Sequence, residues 1–313
     1  MGVFDAVQCV LSILIMVSIG YVLSYRGWFD ERTSELFSKI VVKVSLPALM
    51  ISNLLSTFDR KKLFEAGLGV FIPILCMLLL YGIGLMIVRL LNVPSHKHGV
   101  FLAMFTFSNT VFIGLPVNVA LFGEKSTSFV LLYYVANTVL FWTMGVSGIQ
   151  RDGLNGQVTT LSRRIKNLLS PPLIGFLLAI LLILFDVRLP KFIMDACKYM
   201  GNLTTPLSML YIGIVINSIK MQDIRFDKDM VAVLLGRFVL APLLILAFMY
   251  YLPLPVLMKK VFVIQAAMPT MTQIAIVSQA YKADYRYAAA MVTVTTMASL
   301  IFIPLYMFVL TYI

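Results

Sequence analysis

An apolar stretch of membrane length has a polar centre that could bind a ligand. It reads FTFSNTVFIGLPVNVALFG over residues 105–123, and its middle contains Asn109, Thr110, Gly114 and Pro116. Because proline lacks a backbone N–H and clashes with the preceding turn, a helix is predicted to break here. The freed backbone groups, the amide and the hydroxyl could then hold a negatively charged group such as a carboxylate.

A second apolar stretch has a centre of the same kind. It reads AAMPTMTQIAIVSQAY, and it contains Pro269, Thr270, Thr272 and Gln273. Neutral polar groups can hold a carboxylate without holding it too tightly to release it. Neither stretch contains an Asp or a Glu, so there is no obvious internal relay for a coupled proton. The alternative is that both are ordinary kinks whose polar residues satisfy local backbone groups.

Two further segments indicate an internal repeat. The segments SKIVVKVSLPALM and CKYMGNLTTPLSM each place a lysine eight residues before a proline, and Pro47 corresponds to Pro206 at an offset of 159 residues. The same offset carries Asn109 onto Met268, which is followed by Pro269. Two matches at one offset favour a duplication in which the two polar breaks fall in equivalent helices.

The composition is that of a membrane protein. Of the 313 residues, 60% are hydrophobic and 12% are charged, whereas a soluble domain has about 25% charged residues. About 20 apolar residues span a bilayer core. The runs without Asp, Glu, Lys or Arg therefore predict ten transmembrane helices, here called predicted helices 1 to 10. These runs are residues 6–25, 44–58, 66–88, 99–123, 126–150, 167–185, 199–219, 238–258, 261–281 and 287–313.

The predicted fold is an all-α polytopic membrane protein built from two inverted five-helix repeats. Residues 1–150 form the first repeat, residues 151–166 a short cytoplasmic linker, and residues 167–313 the second repeat. Five is an odd number of crossings, so the second repeat begins on the opposite side of the membrane. Many secondary transporters have such inverted repeats, with the binding site near the bilayer midplane at matching broken helices. Here these are predicted helices 4 and 9.

The charges of the loops indicate the orientation. The N-terminus has Asp5 and no basic residue before Arg26, unlike a secretory signal. With the N-terminus outside, 14 of the 25 Lys and Arg residues lie near the cytoplasmic loops, 8 near the outer loops, and 3 within or close to helices. This bias favours a protein of the plasma membrane with both termini outside.

Other function classes are excluded by what the sequence lacks. The net charge of +11 resides mostly in short loops, which favours membrane orientation over a nucleic-acid partner. Cys9, Cys76 and Cys197 form no CxxC motif, and His96 and His98 have no third ligand nearby, so we expect neither a metal nor a cofactor. Without a membrane-embedded histidine or acidic pair, we expect no enzyme.

Arg237, in LLGRFVLAP, is the most deeply embedded charge. A charge inside the membrane is costly and indicates a function by default. It could attract an anionic substrate or pair with Asp195 or Asp229. It could also extend to the interface, where long basic side chains keep their charge in water.

These motifs resemble those of the auxin efflux carrier superfamily. The resemblance covers essentially the whole chain and is carried by SNTVFIGLPV, the proline of predicted helix 2, GNLTTPLSMLYIG and AAMPTMTQIAIV. The chain is similar to compact prokaryotic members, which are related to the plant PIN exporters and include carriers linked to malate and malonate. The family pattern matches Asn109, Pro116 and Pro269. Polar residues of predicted helices 2 and 7 that would face the crossing are Ser45, Ser52, Asn202 and Thr205.

The resemblance implies an architecture and a mechanism. Predicted helices 4 and 9 are broken and cross near the membrane centre. Helices 1, 2, 6 and 7 form a scaffold, through which the family suggests a homodimer, and helices 3–5 and 8–10 form a transport domain with an elevator-like motion. We therefore expect a secondary transporter that moves an organic anion across the plasma membrane. Its substrate would be a carboxylate, such as an auxin-like compound or a dicarboxylate. Membrane lipid would surround the protein.

Two alternatives stay open. A sodium-coupled organic-anion symporter of the bile-acid symporter type shares the inverted five-helix layout, and carbonyl groups at the breaks could bind Na⁺ together with Thr and Gln side chains. The other alternative is a non-transporting membrane receptor or subunit, although such a protein has no need of two matched broken helices.

Overall fold

The computed structural model describes residues 3–153, 171–218, 227–250, 252 and 254–310, and this part of the chain is helical without a β-strand. We number its helices in chain order. They are α1 (Val3–Tyr25), α2 (Glu31–Thr57), α3 (Arg60–Gly67), α4 (Phe71–Leu90), α5 (His98–Thr106), α6 (Leu115–Phe122), α7 (Glu124–Asp152), α8 (Pro171–Leu184), α9 (Lys191–Asn217), α10 (Lys228–Tyr250), α11 (Val256–Ala266), α12 (Gln273–Ala280) and α13 (Tyr285–Leu310).

Six of the described helices are long and apolar enough to cross a membrane, namely α2, α4, α7, α9, α10 and α13. Shorter apolar helical segments are Ile15–Tyr25, Thr110–Phe122 and Pro171–Leu184. A helical multi-pass membrane protein is therefore confirmed, whereas the count of ten helices and their inverted repeat stay predictions. The predicted linker, residues 151–166, lies outside the described residues beyond Gly153.

Both helices with a predicted polar break are interrupted. The first break, residues 107–114, separates α5 from α6 and ends in a π-helical turn, Thr110–Gly114. The second break, residues 267–272, separates α11 from α12. Pro116 follows the first break in the opening turn of α6, and Pro269 lies inside the second. Both breaks therefore free backbone groups in the middle of apolar segments.

Three π-helical turns each end two residues before a proline. They are Val41–Ser45 before Pro47, Thr110–Gly114 before Pro116, and Gly236–Leu240 before Pro242. Proline cannot donate to the carbonyl group four residues earlier, so the preceding turn loses a hydrogen bond and widens.

The third of these turns shows how such a loss is compensated. The carbonyl group that Pro242 leaves without its helical donor belongs to Phe238. The hydroxyl group of Tyr306 donates to it from α13. A partner from another helix is what a freed carbonyl group needs inside a membrane.

The chain forms two compact units. The first contains Met1–Gly69, Val111–Leu132 and Leu168–Ser218. The second contains Val70–Thr110, Tyr133–Asn167 and Ile219–Ile313. Each unit takes segments from both predicted repeats, so the repeat boundaries at residues 150 and 167 stay a prediction from the sequence.

Within the first unit, α1 packs along α9 through glycines. A Cβ atom on Gly20 would lie 2.4 Å from the carbonyl oxygen of Leu210, and one on Gly213 would lie 2.2 Å from that of Val17. Helices in membranes approach this closely only where side chains are small.

Within the second unit, glycines bring α5 against α7 and α10. A Cβ atom on Gly99 would lie 2.0 Å from the backbone of Gly148, and one on Gly236 would lie 2.2 Å from the ring of Phe105. The second contact has a consequence for the site, because it brings the residue after Gly236 close to the end of α5.

Candidate functional site

The two breaks cross inside the second unit. Ser108 of the first break and Thr270 of the second form an isolated antiparallel β-bridge. The backbone N–H of Asn109 donates to the carbonyl oxygen of Pro269 at 2.8 Å. The non-helical segments thus satisfy part of each other's backbone, as buried polar groups require.

Side chains strengthen the crossing. The amide nitrogen of Asn109 donates to the hydroxyl oxygen of Thr272 at 2.9 Å. The N–H of Met271 donates to the carbonyl oxygen of Phe107 at 3.2 Å. Gln273 is the first residue of α12 and is half-buried, as is Thr272. The predicted site residues Asn109, Pro269, Thr270, Thr272 and Gln273 therefore lie together, and Thr110 begins the π turn beside them.

Asn137 of α7 holds the first break. Its amide oxygen accepts from the N–H of Ser108 at 3.1 Å, and its amide nitrogen donates to the carbonyl oxygen of Ser108 at 3.1 Å. The side chain is fully buried. One amide thus binds both polar groups of a single backbone residue.

Thr295 of α13 holds the second break in a corresponding way. Its hydroxyl oxygen accepts from the N–H of Thr270 at 3.2 Å, and the two threonine hydroxyl groups lie 2.9 Å apart. Sequence reasoning missed both Asn137 and Thr295. A signal was available, because the two polar residues lie 158 positions apart, one residue from the offset of the repeat.

Arg237 reaches the crossing from α10 and is fully buried. Its Nη1 donates to the carbonyl oxygen of Thr106 at 2.7 Å. Its Nη2 donates to Ala266 at 2.6 Å and to Met268 at 3.0 Å, and its Nε donates to Met268 at 3.1 Å. The guanidinium group therefore binds the carbonyl ends of α5 and α11 together, instead of extending to the interface.

These carbonyl groups need an external donor. In a continuous helix, the carbonyl of Thr106 would accept from the N–H of Thr110, and that of Ala266 from the N–H of Thr270. The N–H of Thr110 instead donates to Ser108 at 2.9 Å, and the N–H of Thr270 donates to Thr295. Arg237 supplies the donors that both breaks remove.

Several buried polar atoms at the crossing find no partner among the described residues. They include the hydroxyl oxygens of Thr106 and Thr110 and the amide oxygen of Gln265. The amide nitrogen of Gln265 donates to the carbonyl oxygen of Thr110 at 3.3 Å, which fixes this side chain between the two breaks. Unpartnered buried polar atoms are costly.

The remaining predicted site residues lie in the first unit. Ser45 is fully buried, and its hydroxyl finds no partner within the described part of the chain. Ser52 is buried and donates to the carbonyl oxygen of Leu49 at 3.3 Å. Asn202 lies in the middle of α9 and is exposed, and Thr205 is half-buried. These residues and the buried Pro116 stay predictions as binding residues.

Within the described ranges, no group of three or more His, Cys, Asp or Glu side chains lies close enough together to hold a metal ion. Lys97 instead pairs with Asp284 at 3.4 Å and lies over the ring of Tyr287. His98 bonds to the carbonyl oxygen of Val93 at 2.7 Å. His98 therefore stabilises local structure at the start of α5.

Broken helices that cross at a buried polar centre, in an apolar multi-pass chain, define the class of the protein as a membrane transporter. The sequence profile of the family described as membrane transport protein matches residues 5–307. The chain belongs to this family, which is the auxin efflux carrier family, and the resemblance noted in the sequence is confirmed. The family consists of transporters and not of enzymes.

Two relatives match over nearly their whole length. An uncharacterized transporter of Methanothermobacter thermautotrophicus is 26% identical over 307 residues, which cover 97% of this chain and 98% of the relative. The uncharacterized transporter MJ1031 of Methanocaldococcus jannaschii is 25% identical over 309 residues, which cover 96% and 97% of the two chains.

Proposed function

We propose that this transporter is a secondary carrier of an organic anion with a carboxylate group, and that the crossing of the two breaks binds it. The observation that carries the proposal is the pair of unpartnered buried hydroxyl groups on Thr106 and Thr110 beside the crossing breaks. These hydroxyl groups can donate to a carboxylate, and the N-terminus of α12 adds N–H groups with partial positive charge.

The charge balance of the crossing supports an anion. Arg237 is the cation at this site, and within the described residues its hydrogen bonds go to carbonyl oxygens and not to a carboxylate. Its formal charge is therefore not cancelled by an acidic side chain. Because the other groups at the crossing are neutral, this charge would favour an anion over a neutral or cationic ligand.

The architecture proposed for this function has ten membrane crossings. The six long helices, the three shorter apolar segments and the broken pair α11–α12 would supply them. The first unit contains predicted helices 1, 2, 6 and 7, and the second contains 8–10 and most of 3 and 5. Predicted helix 4 is divided between the two units. This division supports an elevator-like mechanism, although residues 111–132 group with the first unit. We further propose a plasma-membrane location with both termini outside and dimerisation through the first unit.

The test is transport by the purified protein in liposomes. Charge displacement on a sensor surface would be recorded while malate, malonate, other short carboxylates and indole-3-acetate are applied, and radiolabel uptake would detect electroneutral transport. We expect saturable transport of at least one carboxylate. Absence of both signals from folded protein would contradict the proposed substrate class.

The site within the protein is tested by a matched pair of variants. Asn109→Ala removes the amide that bonds to Thr272, and we expect it to abolish most transport. Asn217→Ala removes an amide that bonds to Ser24 in the first unit, and we expect it to leave transport near the wild-type rate. If both variants transport near the wild-type rate, the crossing is not the site.

A further inference from the structure

The position of Arg237 bears on whether the carrier binds Na⁺ at the crossing. In broken-helix transporters, carbonyl groups at half-helix C-termini often coordinate Na⁺. Here the equivalent carbonyl groups, those of Thr106, Ala266 and Met268, bind a guanidinium group of the chain itself. We propose that Arg237 is a built-in cation that occupies this carbonyl cluster, so that no free Na⁺ is needed there. This inference rests on the proposed function only where it concerns transport.

The first support is electrostatic. The C-terminal ends of α5 and α11 both carry partial negative charge, and they converge on one point. Carbonyl oxygens brought together in a membrane interior repel each other and have no water to compensate them. A positive charge between them therefore stabilises the crossing, whether it is a metal ion or a side chain.

The second support is geometric. The guanidinium nitrogens lie between 2.6 and 3.1 Å from the three carbonyl oxygens, which is ordinary hydrogen-bond distance for all four contacts. Gly236 allows this approach, because any larger side chain would collide with Phe105 at the end of α5. A Na⁺ ion could reach these oxygens only by displacing the guanidinium group of Arg237, which is hydrogen-bonded to them and covalently attached to the chain.

The third support is the asymmetry of the repeat. The offset of 159 residues places Leu78 at the position equivalent to Arg237, and Leu78 is exposed. The two breaks are thus held by two polar residues that lie one position from the repeat offset, Asn137 and Thr295, but by a single cation. One arginine suffices because the carbonyl ends of both half-helices meet at the same place.

The experiment compares thermal unfolding of the purified full-length chain in sodium, choline and methylguanidinium chloride at equal ionic strength. The wild-type Tm is expected to be the same in sodium and choline. Arg237→Ala removes the cation from the carbonyl cluster. In choline, the Tm of this variant should be lower than that of the wild type. It should then rise with the concentration of Na⁺ or methylguanidinium, as expected for a ligand that binds only the folded state. Lys39→Ala, which removes an exposed basic side chain paired with Glu35, should show no such rescue.

A second variant keeps the test decisive if Arg237→Ala does not fold. Arg237→Lys retains a tethered cation, so it should fold and should stay insensitive to Na⁺. A wild-type Tm that rises with Na⁺ would overturn the inference. So would a folded Arg237→Ala that responds to neither cation, or an Arg237→Lys that is as unstable as Arg237→Ala.

Transport gives an independent readout. Wild-type uptake of a carboxylate substrate should have the same rate when sodium is replaced by choline, and a sodium requirement would overturn the inference. The unfolding measurements need no substrate. If no carboxylate is transported but the cation pattern of the variants holds, the proposed function fails while the role of Arg237 stands.

Discussion

Asn137 offers the sharpest test of how the first break is stabilised. Its amide binds both the N–H and the carbonyl group of Ser108 inside the second unit. Replacing it with leucine keeps the branching and the number of heavy atoms and removes both hydrogen bonds. We expect Asn137→Leu to destabilise the protein, because the backbone of Ser108 loses partners that cannot be replaced by water at a fully buried position.

The expected loss follows from counting these partners. The N–H of Ser108 would be left without its acceptor, which costs about 1–3 kcal/mol. Its carbonyl oxygen would keep the bond from the N–H of Thr110 at 2.9 Å, so losing the amide donor costs only a net hydrogen bond of about 0.5–1.5 kcal/mol. Together the two effects predict a destabilisation of about 1.5–4.5 kcal/mol.

The assay is reversible unfolding of the purified protein in mild detergent, followed by far-ultraviolet circular dichroism as denaturant is added. Thr138→Val is the matched control. Thr138 is the next residue, equally buried, and its hydroxyl has no partner among the described residues, so the change should lie within about 0.5 kcal/mol of zero. The reasoning would be refuted if Asn137→Leu were as stable as the wild type, or if both variants lost the same free energy.

Further variants test other contacts of the second unit. Asn109→Ala should keep the protein folded but lose most carboxylate uptake in liposomes; unchanged uptake would make the first break purely structural. Tyr306→Phe should cost about 1 kcal/mol of unfolding free energy, because the carbonyl group of Phe238 then lacks a donor, and an unchanged unfolding midpoint would contradict this. Gly236→Ala should cost about 1–3 kcal/mol, because its Cβ atom would lie 2.2 Å from the ring of Phe105; a Tm equal to that of the wild type would show that α10 can shift freely.

The broken helices could be predicted from sequence because proline acts locally. Pro116 and Pro269 each lack the backbone N–H that a continuous helix would need at that position, and the nearby polar residues are conspicuous in an apolar run. The repeat offset then indicated that the two breaks are equivalent. Their pairing through Ser108 and Thr270 is consistent with that equivalence, although an offset alone cannot specify a β-bridge.

The partners of the breaks could not be predicted in the same way. Asn137 and Thr295 bond to backbone groups, and backbone acceptors have no residue-type signature in the sequence. The role of Arg237 could not be predicted for the same reason, because the partners that its sequence context suggests are carboxylates and water. Polar type alone also says little about burial, as the exposed Asn202 demonstrates.

The features of the crossing form one causal chain. Proline and non-helical backbone interrupt two helices, and the interruption leaves carbonyl groups without donors at the ends of α5 and α11. The membrane interior makes those groups costly, so a donor must be built in, and a neutral amide or hydroxyl cannot bind three carbonyl oxygens at once. The five N–H groups of a guanidinium can. That solution fixes a positive charge beside neutral hydroxyl and amide groups, which is an environment suited to a carboxylate. The residue that stabilises the broken helices would therefore also set the charge of the ligand.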